Sequence, residues 1–503
     1  MTRFSWFDYG VFVVYLVGAV SVGLLFVKEQ RTLKDYFLAS RGMGSLMVAV
    51  SALAALFSGI SYLGVPSEVY AHKATFVLFG LSFFIATPLT TLLFVPHFYQ
   101  SRFYTAYQYL EERFSVQVRL LASSLFILRV LLWLALVTYA PALALEQVTG
   151  LPLWFSIICT GILTTLYTTL GGMKAVIWTD VVQFVVLFGG QIVILCVAIA
   201  RIPDGLVGVY EIGRAGGKLD LSLSLDPSVR VTLWGLLLGG AVINLVQLAT
   251  DQVSVQRYLT ATSLKEAQRA LWQKLWLLVP VFIVFYLTGL VLYVFYQIHG
   301  DPLATGRITT ADQILPYFVV TEMPVGLPGL LVAAIFAATM STISAGLNAL
   351  ATATLVDFRQ RLSHQPPATE EQQLKTARLL TLAYGALVIV LAFGVSKLGA
   401  LIEASNTAIG LVGGPLLGLF FLGMLIKRAT AWGAVIGWFA GVVAVIPVCF
   451  YSKTSWLWYG VVGCAVTLLV GWLASLLISL LRPNPAPCPT PPSPRKAAIT
   501  NGR

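Results

Sequence analysis

The chain has 503 residues, of which 58% are hydrophobic and 11% charged, with a formal net charge of +11. Soluble domains carry about a quarter charged residues, so this composition excludes a string of soluble globular domains. Apolar runs near 20 residues recur along almost the whole length. They make the chain an all-α integral membrane protein, with residues 1–482 as one transmembrane domain.

Thirteen spans are predicted in chain order, at about 7–27, 45–67, 75–97, 118–148, 152–170, 175–200, 231–250, 275–298, 326–356, 377–396, 400–426, 431–451 and 456–481. Span 1 lacks a basic leader and a small-residue cleavage site, so it reads as a retained span and not a signal peptide. Span 2 is interrupted by Ser58-Gly59-Ile60-Ser61. Span 4 holds Arg129, a charge at membrane depth that must face protein or water. Span 5 ends at Gly171-Gly172, and Asp180 follows near the start of span 6. Asp180 is either a helix-start carboxylate or a charged partner for a cation crossing the membrane. Span 7 is interrupted by Gly239-Gly240, Asn244 and Gln247. Asp251 and Asp357, at the ends of spans 7 and 9, read as solvated. Residues 483–503 are rich in Pro and basic and read as a disordered tail on the cytoplasmic side.

Charge sets the direction. With the N-terminus outside and the C-terminus inside, 22 of the 32 Lys and Arg fall on the inner side, nine on the outer side, and Arg129 within span 4. Inner excess is the usual topology signal of a membrane protein. The net charge therefore needs no nucleic-acid partner, and no obligate protein partner is evident. Spans 2 and 7 lie five apart and so cross in opposite directions, as an inverted repeat of five spans requires. Paired interrupted helices in two halves point to a transporter's binding site, although Gly and Ser also simply permit close helix packing.

Span 9 contains "AATMSTISAGLN", residues 337–348. Ser341, Ser344, Asn348 and Thr352 recur at spacings of three and four and form one helical stripe. Such hydroxyls either bond the preceding turn and aid packing or offer oxygen to a hard cation. A sodium site is the functional reading, with the interruption in span 2 supplying backbone carbonyls. The cysteines and histidines show no metal spacing. No Ser/His, His/Asp or paired acidic arrangement stands at depth, which argues against a membrane-embedded transferase.

The segments "GGMKAVIWTDVVQF", "TYAPALALEQVTG", "DQVSVQRYLTA" and "AAIFAATMSTISAGLNALATATLVDF" resemble the sodium:solute symporter family. Their wording is most similar to the branch with the iodide, monocarboxylate and multivitamin carriers. The resemblance implies the leucine-transporter-type fold: two inverted five-helix repeats, about 45–200 and 231–426, plus three extra helices. It implies sodium-coupled symport of a small solute by alternating access, in the cell membrane, and no enzyme. By the resemblance, a sodium ion is held by the carbonyls of Ala54, Phe57 and Ala338 and by the side chains of Ser341 and Thr342. Asp180 and Ser344 match a second sodium position, but Ala345 stands where a hydroxyl is common. Ser58, Ser61, Asn244 and Gln247 are expected to line the solute site. Arg129 either pairs a solute carboxylate, favouring an organic anion, or has a structural partner. The rival within transport is a proton-coupled or uncoupled carrier of a sugar, amino acid or vitamin.

Overall fold

The computed structural model describes residues 5–363, 369–395 and 401–481, with the side chains of 147, 148 and 401–410 left aside. The tail at 483–503 lies outside the described residues, as do Arg3 and Lys397 of the charge count. Among the described residues the long elements are all helices, and the only extended pairing is an isolated bridge between Met43 and Ala261. Among these residues nine helices are long and apolar enough to cross a membrane, or eleven spans if each of two bent pairs is one span.

The bent pairs fall on spans 2 and 7. Span 2 is Ser45–Ala54 followed by Gly59–Ala71, bent by 66°. Ser58 caps the second half, its side chain accepting from the Ser61 N–H at 3.3 Å. Glycine is required just after the break: a Cβ on Gly59 would stand 2.3 Å from Thr339 Oγ1 of span 9 and 2.6 Å from the Pro141 ring of span 4. Span 7 is Gly235–Thr250 followed by Gln252–Tyr258, bent by 58°. Asp251 occupies that break and caps the second half by accepting from the Val253 N–H at 2.9 Å.

Spans 5 and 6 run as one assigned helix, Leu153–Ala200. Its 48 residues would reach about 72 Å at 1.5 Å per residue. Gly172 breaks it, with φ 59° and ψ −159°, a conformation open to glycine alone without strain.

Span 9, Leu327–Leu362, is the centre of the bundle. Its apolar stretch is 94% buried, against 22–56% for the other eight long helices. It packs on spans 1, 4, 5 and 6. The polar stripe of span 9 therefore faces protein, not lipid. Its start is fixed by Asp8 of span 1, whose Oδ1 accepts the N–H groups of Gly326 and Gly329 at 2.8 and 3.0 Å.

Several charges read as solvated are buried. Asp357 has no exposed surface and accepts from Thr105, Ser123 and Arg119. Asp251 is 11% exposed and paired with Arg129. Arg113, Arg119, Arg257 and Lys274, counted above as inner-loop charges, are all buried. For Arg257 the reason is the bend in span 7, which brings Gln252–Tyr258 back against spans 2, 8 and 9; Arg119 and Asp357 enclose each other, and Arg113 is capped by the carbonyls of Gly423, Ile426, Lys427 and Ala429. Helix ends that look like loops in one dimension are enclosed in three.

Candidate functional site

Four of the five expected sodium-site groups converge between spans 2 and 9. Ser341 Oγ lies 3.2 Å from the Ala54 carbonyl and 3.0 Å from the Ala338 carbonyl. Thr342 Oγ1 donates to the Ala338 carbonyl at 3.1 Å. Among the described residues, no backbone N–H donates to the carbonyls of Ala54, Ala55, Leu56 or Phe57, because the helix is broken there. Phe57 shares that exposed-carbonyl stretch, and its ring packs on Phe285 and Phe282. The cluster has several neutral oxygens and no carboxylate, the donor set of a hard cation of low charge.

The lower part of the same stripe is used differently. Gln256 of span 7 donates to Asn348 Oδ1 at 2.7 Å, to Thr352 Oγ1 at 2.9 Å and to the Phe37 carbonyl at 2.8 Å. Asn348 and Thr352 thus tie span 9 to the second half of span 7. The packing reading holds for them, while Ser341 reaches across to the Ala54 carbonyl of the broken helix and Thr342, bonded one turn back to Ala338, borders the cavity beside it.

Asp180 is fully buried in a charge-paired group. Its Oδ2 accepts from Ser51 Oγ at 2.6 Å and from Arg257 Nη2 at 2.9 Å. Arg257 Nε donates to the same Ser51 hydroxyl at 3.0 Å. Asp180 Oδ1 has no hydrogen-bond partner among the described residues. Ser344 donates to the Ser341 carbonyl at 3.1 Å and is not hydrogen-bonded to Asp180. Asp180 and Ser344 are thus not linked by a direct hydrogen bond.

A cavity of about 400 Å³ adjoins the broken part of span 2. Ser58, Ser61, Arg129, Asn244 and Gln247 all line it, and so does Thr342. Asn244 is committed to Ser82, donating to its hydroxyl at 2.8 Å. Arg129 Nη2 donates to Asp251 Oδ2 at 2.5 Å, leaving Nε and Nη1 without a protein partner among the described residues. Sequence reasoning missed Asp251 as the partner. The sequence signal there marks Asp251 as a cap, since it directly follows the interrupted stretch of span 7, but does not mark it as the partner of Arg129. It also missed the aromatic walls, Phe76, Phe79, Phe83, Trp133, Phe282, Tyr286 and Trp456. Nothing in the sequence separates these rings from lipid-facing ones.

Comparisons with known proteins identify the family. The family model for the sodium:solute symporter family matches residues 36–441. A putative sodium-dependent multivitamin transporter of Drosophila melanogaster is 35% identical, over 96% of this chain and 88% of the relative. A sodium-coupled monocarboxylate transporter 2 of Danio rerio is 35% identical, over 92% of this chain and 76% of the relative. A solved sodium-coupled sialic acid symporter, in a substrate-bound outward-open state with a novel sodium site, is similar with a TM-score of 0.87 at 33% identity, covering 94% of this chain and 98% of that one. The fold is thus of the leucine-transporter type. The broken helices, the buried oxygen cluster and this similarity along nearly the whole length lead to one conclusion: the chain belongs to the sodium:solute symporter family and is a membrane-embedded, sodium-coupled carrier of a small solute, not an enzyme.

Proposed function

We propose that the protein takes up an organic monocarboxylate with an apolar body, coupled to one sodium ion, across the cell membrane. The observation that carries this reading is the single cavity bordered by Thr342 of the oxygen cluster on one side and by Arg129 on another. The sodium ion sits between spans 2 and 9, on the carbonyls of Ala54, Phe57 and Ala338 and the hydroxyls of Ser341 and Thr342. Arg129 presents its remaining N–H groups to the solute carboxylate, a match of planar fork to planar anion. Ser58, Ser61 and Gln247 offer hydrogen bonds, and the aromatic walls take the apolar body. The names of two relatives, a monocarboxylate carrier and a sialic acid carrier, support an acidic solute.

One sodium is favoured over two. Arg257 already neutralises Asp180, and Ala345 supplies no oxygen beside Ser344. The second position, Asp180 with Ser344, is the alternative stoichiometry. The topology that accompanies this reading has thirteen spans, with Leu153–Ala200 divided at Gly172, the N-terminus outside and the C-terminus inside. Spans 2–6 and 7–11 form the inverted repeats within one domain, 1–482.

Sodium entering the cell provides about 2.3 kcal/mol per 100 mV, beyond its concentration gradient. Binding at the span 2 break orders the cavity wall that the solute then meets, and release inward follows from the low internal sodium. The test is uptake by proteoliposomes of the full chain, screened over aliphatic and aromatic monocarboxylates, vitamins, sugars and amino acids, with sodium or choline outside at constant pH. Saturable, sodium-dependent uptake of a monocarboxylate is expected. Uptake of a neutral sugar with no acid transported, or uptake unchanged in choline, contradicts the reading.

A further inference from the structure

A second cleft, of about 760 Å³, lies away from the transport cavity, and the mechanism above does not use it. Lys34, Arg41 and Arg102 surround it, with Tyr99 and Tyr104 between them. None of the three cations is ion-paired with a carboxylate among the described residues. Elsewhere some basic side chains at helix ends are ion-paired, as in Lys174 with Glu29, Arg201 with Glu322 and Arg361 with Glu111. Two carboxylates, Glu370 and Asp35, lie near Tyr104 on the cleft wall without pairing these cations, and that of Asp35 is engaged by Ser40 and by the N–H of Thr32.

The cleft is also held in shape. Arg41 stacks over the Tyr99 ring at 5.2 Å and donates to the Phe103 carbonyl at 3.3 Å. The Tyr99 hydroxyl donates to the Ala261 carbonyl at 2.9 Å, tying one wall to the segment before span 8. Ala39, Ser40 and Arg41 take φ of 46°, 56° and 56°, and Arg102 takes 55°. Left-handed conformations are disfavoured for residues with a Cβ, and four of them around one cleft are maintained only because the surroundings over-determine them. Both arginines that border the cleft owe their placement to this backbone.

We propose that this cleft binds a phosphate-bearing ligand, and specifically the headgroup of an anionic phospholipid. Three cations around one open concavity suit a phosphate, and guanidinium groups match its oxygens with paired N–H donors. Position selects the lipid source. The cleft lies where the helices Val95–Gln100 and Leu264–His299 end and begin, which is the level of lipid headgroups. Leu264, half-buried at the rim, gives it an apolar flank for the glycerol and upper acyl region. In the topology proposed above, this is the inner leaflet. The site stands independently of the solute assignment.

The test uses the full chain, purified in detergent and stripped of lipid. Phosphatidylglycerol and phosphatidylcholine are titrated separately and bound lipid is counted by native mass spectrometry, with glycerol 3-phosphate and inorganic phosphate as soluble competitors. The wild type is expected to retain phosphatidylglycerol at least tenfold more tightly than phosphatidylcholine. The triple variant Lys34→Gln, Arg41→Gln, Arg102→Gln is expected to lose that preference. The control Lys427→Gln, Arg428→Gln, which removes two exposed charges elsewhere, is expected to keep it. If the triple variant does not elute as a folded species, Lys34→Glu alone, at an exposed position, is expected to weaken retention at least threefold. Displacement by glycerol 3-phosphate at concentrations matching the lipid supports a phosphate site but overturns the lipid as its occupant. No preference for the anionic lipid, or equal loss in the control variant, overturns the proposal.

Discussion

The two broken helices make a useful comparison. In span 2 the break carries no charge: among the described residues the carbonyls of residues 54–57 are left without backbone donors, the Ser341 hydroxyl reaches the Ala54 carbonyl, and Thr342 borders the adjoining cavity. In span 7 the break is closed by a charge: Asp251 caps the second half and holds Arg129 across the cavity. Similar bends, 66° and 58°, thus expose opposite chemistry to one cavity. A neutral break with free carbonyls offers a cation partial negative charge without a fixed counter-ion. A break closed by a carboxylate fixes an arginine, whose free donors address an anion. In the function proposed above, the cation belongs to the first break and the solute's charge to the second.

The largest effect is expected from Ser341→Ala combined with Thr342→Ala. Sodium-driven uptake in proteoliposomes should fall by at least about a hundredfold, with the protein still inserted and monodisperse, since each loss of about 1.4 kcal/mol is tenfold. Sodium dependence that persists unchanged in this pair would remove the first half of the comparison.

Next is Asp180→Asn. Asp180 and Arg257 join span 6 to the second half of span 7, with Ser51 of span 2 in the same group. Removing the carboxylate leaves a buried guanidinium unpaired, at a cost of about 3–5 kcal/mol. A marked drop in thermal-unfolding midpoint in detergent is expected. An unchanged midpoint would mean that the two inner half-helices are not held together by this group.

Arg129→Gln sharpens the second half. Apparent affinity for the carboxylate solute should weaken by about tenfold or more, or roughly 1.4 kcal/mol upward, while the sodium concentration for half-maximal uptake of saturating solute shifts little. A variant that changes the sodium dependence and spares solute affinity would reverse the assignment. The smallest effect is expected from Ser58→Ala, which removes the cap of the second half of span 2 and should cost about 1 kcal/mol, read as a shift of a few degrees in the same unfolding assay. No shift at all would show that the break is held by packing around Gly59 instead.

How much of this was legible in the sequence follows from what periodicity records. The Ser341 stripe was legible, because oxygens spaced by three and four in an apolar run can lie only on one face. The interruptions of spans 2 and 7 were legible for the same reason, and the residues named from them do line the cavity. The burial of Arg257, Lys274 and Asp357 was not legible. Each lies near the end of a span, where a charge is cheap if the chain continues into water, and only the bend in span 7 and the packing around span 9 enclose them. The pairing of Arg129 with Asp251 joins residues 122 apart, which no local pattern encodes. The aromatic walls escaped because a ring facing a cavity and a ring facing lipid have the same spacing.

The most direct test of the central claim is sodium binding by the purified protein, measured by calorimetric titration in a choline buffer without solute. The account predicts saturable binding of one sodium per chain in the wild type and in Arg129→Gln, and none in the Ser341→Ala, Thr342→Ala variant. Sodium binding that survives in that variant, or that is lost in Arg129→Gln, would contradict it.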